Sequence, residues 1–305
     1  MNVTRWIDAH CDLLSAMVSK PTVEFAAEDG QADVSYSRLR EGGVGLQCFA
    51  IYLPEQRDQA SFGQILQQID LFYLRIASHP GTKFVRSAED LEEVIRGDEL
   101  GVMLTLEGAD GLEGDLVHLR TICRLGVRML GLTWNHANWA ADGVMEPRGG
   151  GLTSKGKQLV WECNKLGIIL DVSHLSERGF WELAELSQRP WVASHSNAKR
   201  LCPHPRNLTD EQILATIRAG GMIGVTFVPW FLQDGEASMT DILRHIDHIC
   251  SLGGEKAIGF GSDFDGIDRH LPELAHPGHY PRLAEELYRH FSFEQAEGFL
   301  GNNWR

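Results

Sequence analysis

The segment Trp6-Ile7-Asp8-Ala9-His10-Cys11-Asp12 carries an apolar run into a His-x-Asp pair. In an extended strand, side chains two apart share a face, so His10 and Asp12 converge while Cys11 turns away. A neutral imidazole beside a carboxylate is the ligand chemistry of zinc-like ions. Alone, the pair reads more readily as a hydrogen-bonded structural pair, because so short a motif recurs by chance. The same arrangement then returns along the chain. Glu107 closes the run from Gly101, His174 the run from Ile168, His195 the run from Trp191, and Asp263 the run from Ala257. Taken singly, His174 reads equally as a satisfied core histidine, and Glu107 or Asp263 as a helix cap. Their recurrence at one position of a repeating unit points to a shared site.

Two histidines, a His-x-Asp and a further carboxylate suffice for two metal ions, with one Glu bridging them at ~3.5–4 Å as in two-metal hydrolases. A water held between such ions loses a proton near neutral pH and becomes a nucleophile. Asp263 is not needed as a ligand, which frees it to orient that water and pass its proton on. The chemistry implied is hydrolysis of an amide or ester.

These residues need a scaffold that brings distant segments to one rim. Eight apolar, β-branched-rich runs are predicted as strands. They lie around residues 6–12, 44–53, 101–107, 127–133, 168–174, 191–195, 221–228 and 257–263. Helical spacing of apolar residues fills the intervals, as at Ile65, Ile69, Phe72 and Ile76. Ser87 and Thr209 are expected N-caps and Gly167 a C-cap. Strands alternating with helices imply a parallel sheet with helical crossovers. Eight of them favour a closed (β/α)8 TIM-like barrel, a single α/β domain over residues 1–305, with strand ends gathered on the catalytic C-terminal face. No Gly-x-Gly-x-x-Gly follows the first strand, which argues against a dinucleotide fold. His79, His118, His245, His248 and His290 fall on helices or their ends and are read as surface or packing residues.

Composition narrows the partners. The 305 residues are 43% hydrophobic with a formal net charge of −14, an acidic balance that argues against nucleic acid or an anionic membrane. No apolar run reaches the length of a membrane span, and neither a signal peptide nor a lipid-anchor tail is expected. Six scattered cysteines without Cys-x-x-Cys read as buried reduced thiols of a cytoplasmic protein.

Six segments together resemble the renal (membrane) dipeptidase family of zinc peptidases. They are His10-Cys11-Asp12, Glu107-Gly108-Ala109-Asp110, Asp171-Val172-Ser173-His174, Ser194-His195-Ser196-Asn197, Arg206-Asn207-Leu208-Thr209-Asp210 and Gly259-Phe260-Gly261-Ser262-Asp263-Phe264-Asp265-Gly266. They occur in order over essentially the whole chain. The resemblance implies two Zn2+ per chain, one held by His10, Asp12 and Glu107, the other by Glu107, His174 and His195, with Glu107 and a water or hydroxide as bridges. It implies that Arg206 grips the C-terminal carboxylate of a dipeptide, for which a planar guanidinium is suited. Asp263 would protonate the leaving amine, the substrates would be L,L and L,D dipeptides, and a homodimer is a common state. One motif departs: where better-known members carry a histidine after the fourth strand, this chain reads Thr133-Trp134-Asn135-His136. Trp134 takes the aligned position, and His136 is a candidate for the missing substrate contact or else a surface residue.

Two other readings keep the barrel. An amidohydrolase acting on a cyclic amide, lactone or phosphoester commonly has His-x-His on the first strand and a modified Lys as bridge, whereas here the second ligand is Asp12 and no strand ends in Lys. A catalytically inactive binding barrel predicts an eroded site, whereas every expected ligand is present.

Overall fold

The computed structural model describes residues 5–28, 30–55 and 60–305. Among these, nine strands form: β1 (Trp6–Asp8), β2 (Val44–Tyr52), β3 (Thr82–Phe84), β4 (Leu100–Glu107), β5 (Val127–Gly131), β6 (Ile169–Asp171), β7 (Val192–Ala193), β8 (Met222–Val225) and β9 (Ile258–Phe260). All pairings between them are parallel, and eight strands close a ring in the order β1-β2-β4-β5-β6-β7-β8-β9. The ring is sealed where Asp8 pairs with Phe260 and where β2 runs beside β4, from Leu46↔Gly101 to Tyr52↔Glu107. It is the closed parallel barrel with helical crossovers expected from the eight apolar runs. Strand β3 is additional. It lies along the first half of β4 at Leu100–Val102, while β5 takes the second half from Leu104. Three residues are too few to display a period of two.

Several strands are shorter than the runs that announce them. β6 stops at Asp171 and β7 at Ala193, so His174 and His195 sit in the opening residues of loops. The cause is local competition for backbone donors. Asp171 Oδ1 accepts from Ser173 N (3.0 Å) and Ser194 N (2.9 Å), donors that would otherwise extend the ladder. Asp8 Oδ1 does the same with His10 N (3.2 Å) and Ser262 N (2.9 Å). A buried carboxylate accepting several N–H bonds is well compensated, and it frees the chain to leave the sheet while fixing where it leaves.

Around the ring, helices bury one stripe each, as the 3.6-residue period requires. Ser87 accepts from Asp90 N, Thr209 from Gln212 N, and Gly167 ends its helix at φ 70°, all as expected. At the opposite end from the ligands, Trp304 closes the barrel. A Cβ on Gly259 would lie 1.9 Å from its Nε1, so the strand at that point admits only glycine. No helix of the described residues is long and apolar enough to cross a membrane.

His245, on the helix Met239–Ser251, is fully buried. Its Nδ1 accepts from Ala198 N (3.1 Å), so Nε2–H donates to Leu232 O (2.8 Å). It thereby ties the loop after β7 to the segment after β8. Burial holds its pKa below the ordinary 6.5. The unfolded chain takes up a proton that the folded one refuses, so this contribution is complete above about pH 6.5 and declines as pH falls. His245→Ala should cost about 2 kcal/mol. In urea melts between about pH 7.5 and about pH 5, His245→Gln should lose less stability on acidification than the parent.

Candidate metal centre

Six side chains from five strand ends meet on the C-terminal rim. His10 Nε2 lies 3.3 Å from Asp12 Oδ2, 3.8 Å from Glu107 Oε2 and 3.7 Å from Asp263 Oδ1. Glu107 Oε1 lies 2.7 Å from His174 Nε2 and 3.5 Å from His195 Nε2. The two latter nitrogens are 2.9 Å apart. Glu107 thus touches both halves of the cluster. By distance alone, two overlapping trios form, His10–Glu107–His195 and His10–Asp12–Asp263, each with ligand atoms within 4.8 Å of one another. The second puts Asp263 at ligand range as well as proton-transfer range.

Proton bookkeeping fixes the tautomers. Ser194 Oγ donates to Asp171 Oδ2 (2.5 Å), so it must accept from His195 Nδ1 at 2.7 Å. Asn135 Oδ1 accepts from His174 Nδ1 at 2.9 Å. Each imidazole therefore turns a bare Nε2 lone pair toward the other and toward the Glu107 carboxylate. Apart from one Arg206 N–H that reaches His174 Nε2 at 3.1 Å, the acceptors converging here repel one another unless a proton or a cation lies among them. His10 Nε2 is also buried without a hydrogen-bond partner, facing three carboxylates. Gly266 completes the cradle: a Cβ there would lie 2.3 Å from Asp12 Oδ2 and 2.9 Å from Asp263 Oδ1. The donor set of imidazoles and carboxylates fits zinc-like ions.

The electrostatics agree. Burial drives Glu107 well above the usual carboxylate range. Burial alone would lower His10, but Glu107, Asp12 and Asp263 outweigh it and push the imidazole up to about 10. Positive charge is what that position favours. Burial, then Arg206 and His10, hold His174 and His195 well below 6.5, in the neutral form that ligates metal. Burial raises Asp263 to about 7, with Asp12 adding to it and His10 and Arg206 opposing. Asp263 adopts φ 67° and Asp265 φ 65°, conformations that cost non-glycine residues of order 1–3 kcal/mol each. A reciprocal clasp offsets this: Asp265 accepts from Asp33 N (2.7 Å) and Val34 N (3.0 Å), and its own N–H donates to Asp33 (3.0 Å).

Above the cluster opens a cavity of about 410 Å3, within the size range of small-ligand sites. Asp12, Glu107, His174, Arg206 and Asp263 line it, as do Tyr52, Trp134, Trp230 and Phe231. Arg206 is buried, its Nη2 donating to His174 Nε2 (3.1 Å) and His195 O (3.2 Å). His136 is not brought to this cavity. Its side chain is 51% exposed and bonds Glu55 through both its ring and its backbone N–H. The neighbours Trp134 and Asn135 face the site instead. Three supporting residues have no counterpart among the sequence candidates: Asn135, Asp171 and Asp8. The alternation in Asp8-x-His10 and Asp171-x-Ser173 carries a signal for the two aspartates, whereas Asn135 carries none.

Comparison with known proteins places the chain in a family. Residues 1–305 match the family model described as membrane dipeptidase (peptidase family M19). Human dipeptidase 3 is 34% identical over 278 residues, covering 88% of this chain and 56% of that protein, so the chain spans little more than half the human relative's length. A metallo peptidase from Rhodobacter sphaeroides, solved with a phosphinate mimic of the dipeptide L-Ala-D-Ala, superposes with a TM-score of 0.89 at 30% identity, covering 99% of this chain and 98% of that one. The structure of dipeptidase AC, another M19 metallo peptidase, gives 0.91 at 30% identity over 99% and 97% of the two chains. With the scaffold and a match over residues 1–305 in agreement, this chain belongs to the membrane dipeptidase family, the metallo-dipeptidases of peptidase family M19.

Proposed function

We propose that this chain is a dinuclear zinc dipeptidase that hydrolyses the peptide bond of L,L and L,D dipeptides. The observation that carries the reading is the convergence of the His174 and His195 imidazole nitrogens on the Glu107 carboxylate, beneath a cavity of dipeptide size. His10, Asp12 and Glu107 would hold one ion, and Glu107, His174 and His195 the other. When bound, the ion pair supplies Lewis acidity for the scissile carbonyl and lowers the pKa of water toward neutrality.

The protein's own groups do the rest. Arg206, whose Nη groups now donate to Ser173 O, His195 O and His174 Nε2, would turn its planar donor fork to the substrate's C-terminal carboxylate, which sets the register of the peptide bond over the cluster. Ser194 and Asn135 keep the imidazoles of His195 and His174 turned inward, so the ligand geometry exists before substrate arrives. Asp263 sits 3.7 Å from His10 at the cavity floor, where it can take a proton from the attacking water and deliver it to the leaving nitrogen. Its elevation to about 7 suits a group that must both accept and donate near neutral pH. The aromatic walls limit the access of bulk water.

Metal-replete protein should release free amino acids from a panel of L,L and L,D dipeptides and lose that activity on chelation. Absence of release across the panel, with metal content verified on the same sample, would remove the dipeptidase reading. Asp263→Asn should keep bound metal while turnover falls by about 100-fold or more; unchanged turnover would exclude Asp263 as the proton carrier. Arg206→Lys should raise KM about 10-fold for dipeptides with a free carboxylate. The loss should be much smaller for C-terminally amidated ones, a contrast read by initial rates on matched pairs.

A further inference from the structure

The cavity has two aromatic walls on opposite sides of the ring, and their placement relative to Arg206 assigns them different parts of a substrate. Arg206 follows β7, and its guanidinium carbon lies 5.4 Å over the Phe231 ring, with Trp230 beside it. A carboxylate held by Arg206 therefore sets the C-terminal residue against Trp230 and Phe231, just after β8. In the ring order, β2, β4 and β5 lie across from β8. There Tyr52, the last residue of β2, meets Trp134, which follows β5, with ring centroids 5.3 Å apart. Trp134 also lies 5.8 Å from the His174 ring, so this second wall begins where the ligand cluster ends. A dipeptide with its peptide bond over the cluster extends its N-terminal residue toward it.

We propose that this Tyr52–Trp134 wall is the subsite for the N-terminal side chain and that it selects apolar and aromatic residues over acidic ones. The inference rests on the dipeptidase reading above. Two adjoining rings, tilted 56° to one another, offer a large apolar surface with little conformational freedom to lose on binding. An acidic side chain gains nothing there. Among the described residues lining the cavity, Arg206 is the only Lys or Arg, and it is committed to the opposite end. Asp12, Glu107, Asp263 and Asp265 line the same cavity, so an acidic side chain meets like charge.

The test compares kcat/KM for Leu-Gly and Phe-Gly with Asp-Gly and Glu-Gly on metal-replete protein, the C-terminal residue being common to all four. The apolar pair should be preferred by about 10-fold or more. Trp134→Ala should compress that ratio about 10-fold, and Trp134→Phe, which keeps a ring face, should preserve most of it. Equal rates for the acidic and apolar substrates would overturn the selectivity while leaving the dipeptidase reading intact. A ratio unchanged in folded Trp134→Ala would take the subsite away from this wall. Failure to cleave any dipeptide would overturn both readings. The parent ratio decides even if Trp134→Ala does not fold, and Tyr52→Ala provides a second truncation of the same wall.

Discussion

Asp8 and Asp171 are the constraint on which the upper barrel depends. Each carboxylate is buried at the last rung of its strand and accepts both the backbone N–H and the hydroxyl of a serine on the neighbouring strand. Asp8 takes Ser262, with Oγ at 2.7 Å, and Asp171 takes Ser194, with Oγ at 2.5 Å. Asp8 also accepts from the Tyr280 hydroxyl at 2.6 Å. Burial raises the pKa of Asp8, and these donors draw it back. An ionised carboxylate without them would be far too costly in that position. Because the donors come from residues next to His10, His195 and Asp263, the same bonds that close the ring also set the stance of the chemical groups.

That coupling explains why a crowd of mutually repelling acceptors can persist in the fold. The scaffold holds two imidazole nitrogens 2.9 Å apart beside a buried Glu107, an arrangement that stabilises little by itself. The hydrophobic core below, with Trp6 stacked on Tyr280 at 4.4 Å and many side chains fully excluded from water, supplies the stability that the rim lacks. Positive charge is what makes the rim favourable, and His10 and Arg206 supply part of it. A division of this kind, stable base and strained face, is the general condition for a preorganised site.

The sequence made the ring and its ligands legible because both follow from position. Eight apolar runs of strand length, each followed by a helix, leave few topologies open, and polar residues recurring at strand ends can only meet on one rim. What escaped was set by contacts between elements. His136 fits the spacing of a substrate contact, but Glu55 draws it outward, while Asn135 beside it turns in to His174. Nothing in Thr133-Trp134-Asn135-His136 distinguishes those directions. The early ends of β6 and β7 depend on Asp171 capturing donors from two segments at once, a non-local competition that local propensity does not encode. β3 is short enough to be decided by its neighbour β4 alone.

His10 and Asp263 lie 3.7 Å apart, yet they belong to the first and last strands of the ring. The candidate ligands thus run from residue 10 to residue 263 of the 305, and no short fragment contains them. Loop closure on that scale comes late in folding, after local helices and hairpin-range contacts have formed. Metal capture is accordingly an act of the finished ring and not of an early intermediate. By mass action, a bound ion then stabilises every strand at once. An ion held by these residues would act as a clasp between segments far apart in the chain, tying the lifetime of the fold to the occupancy of the site.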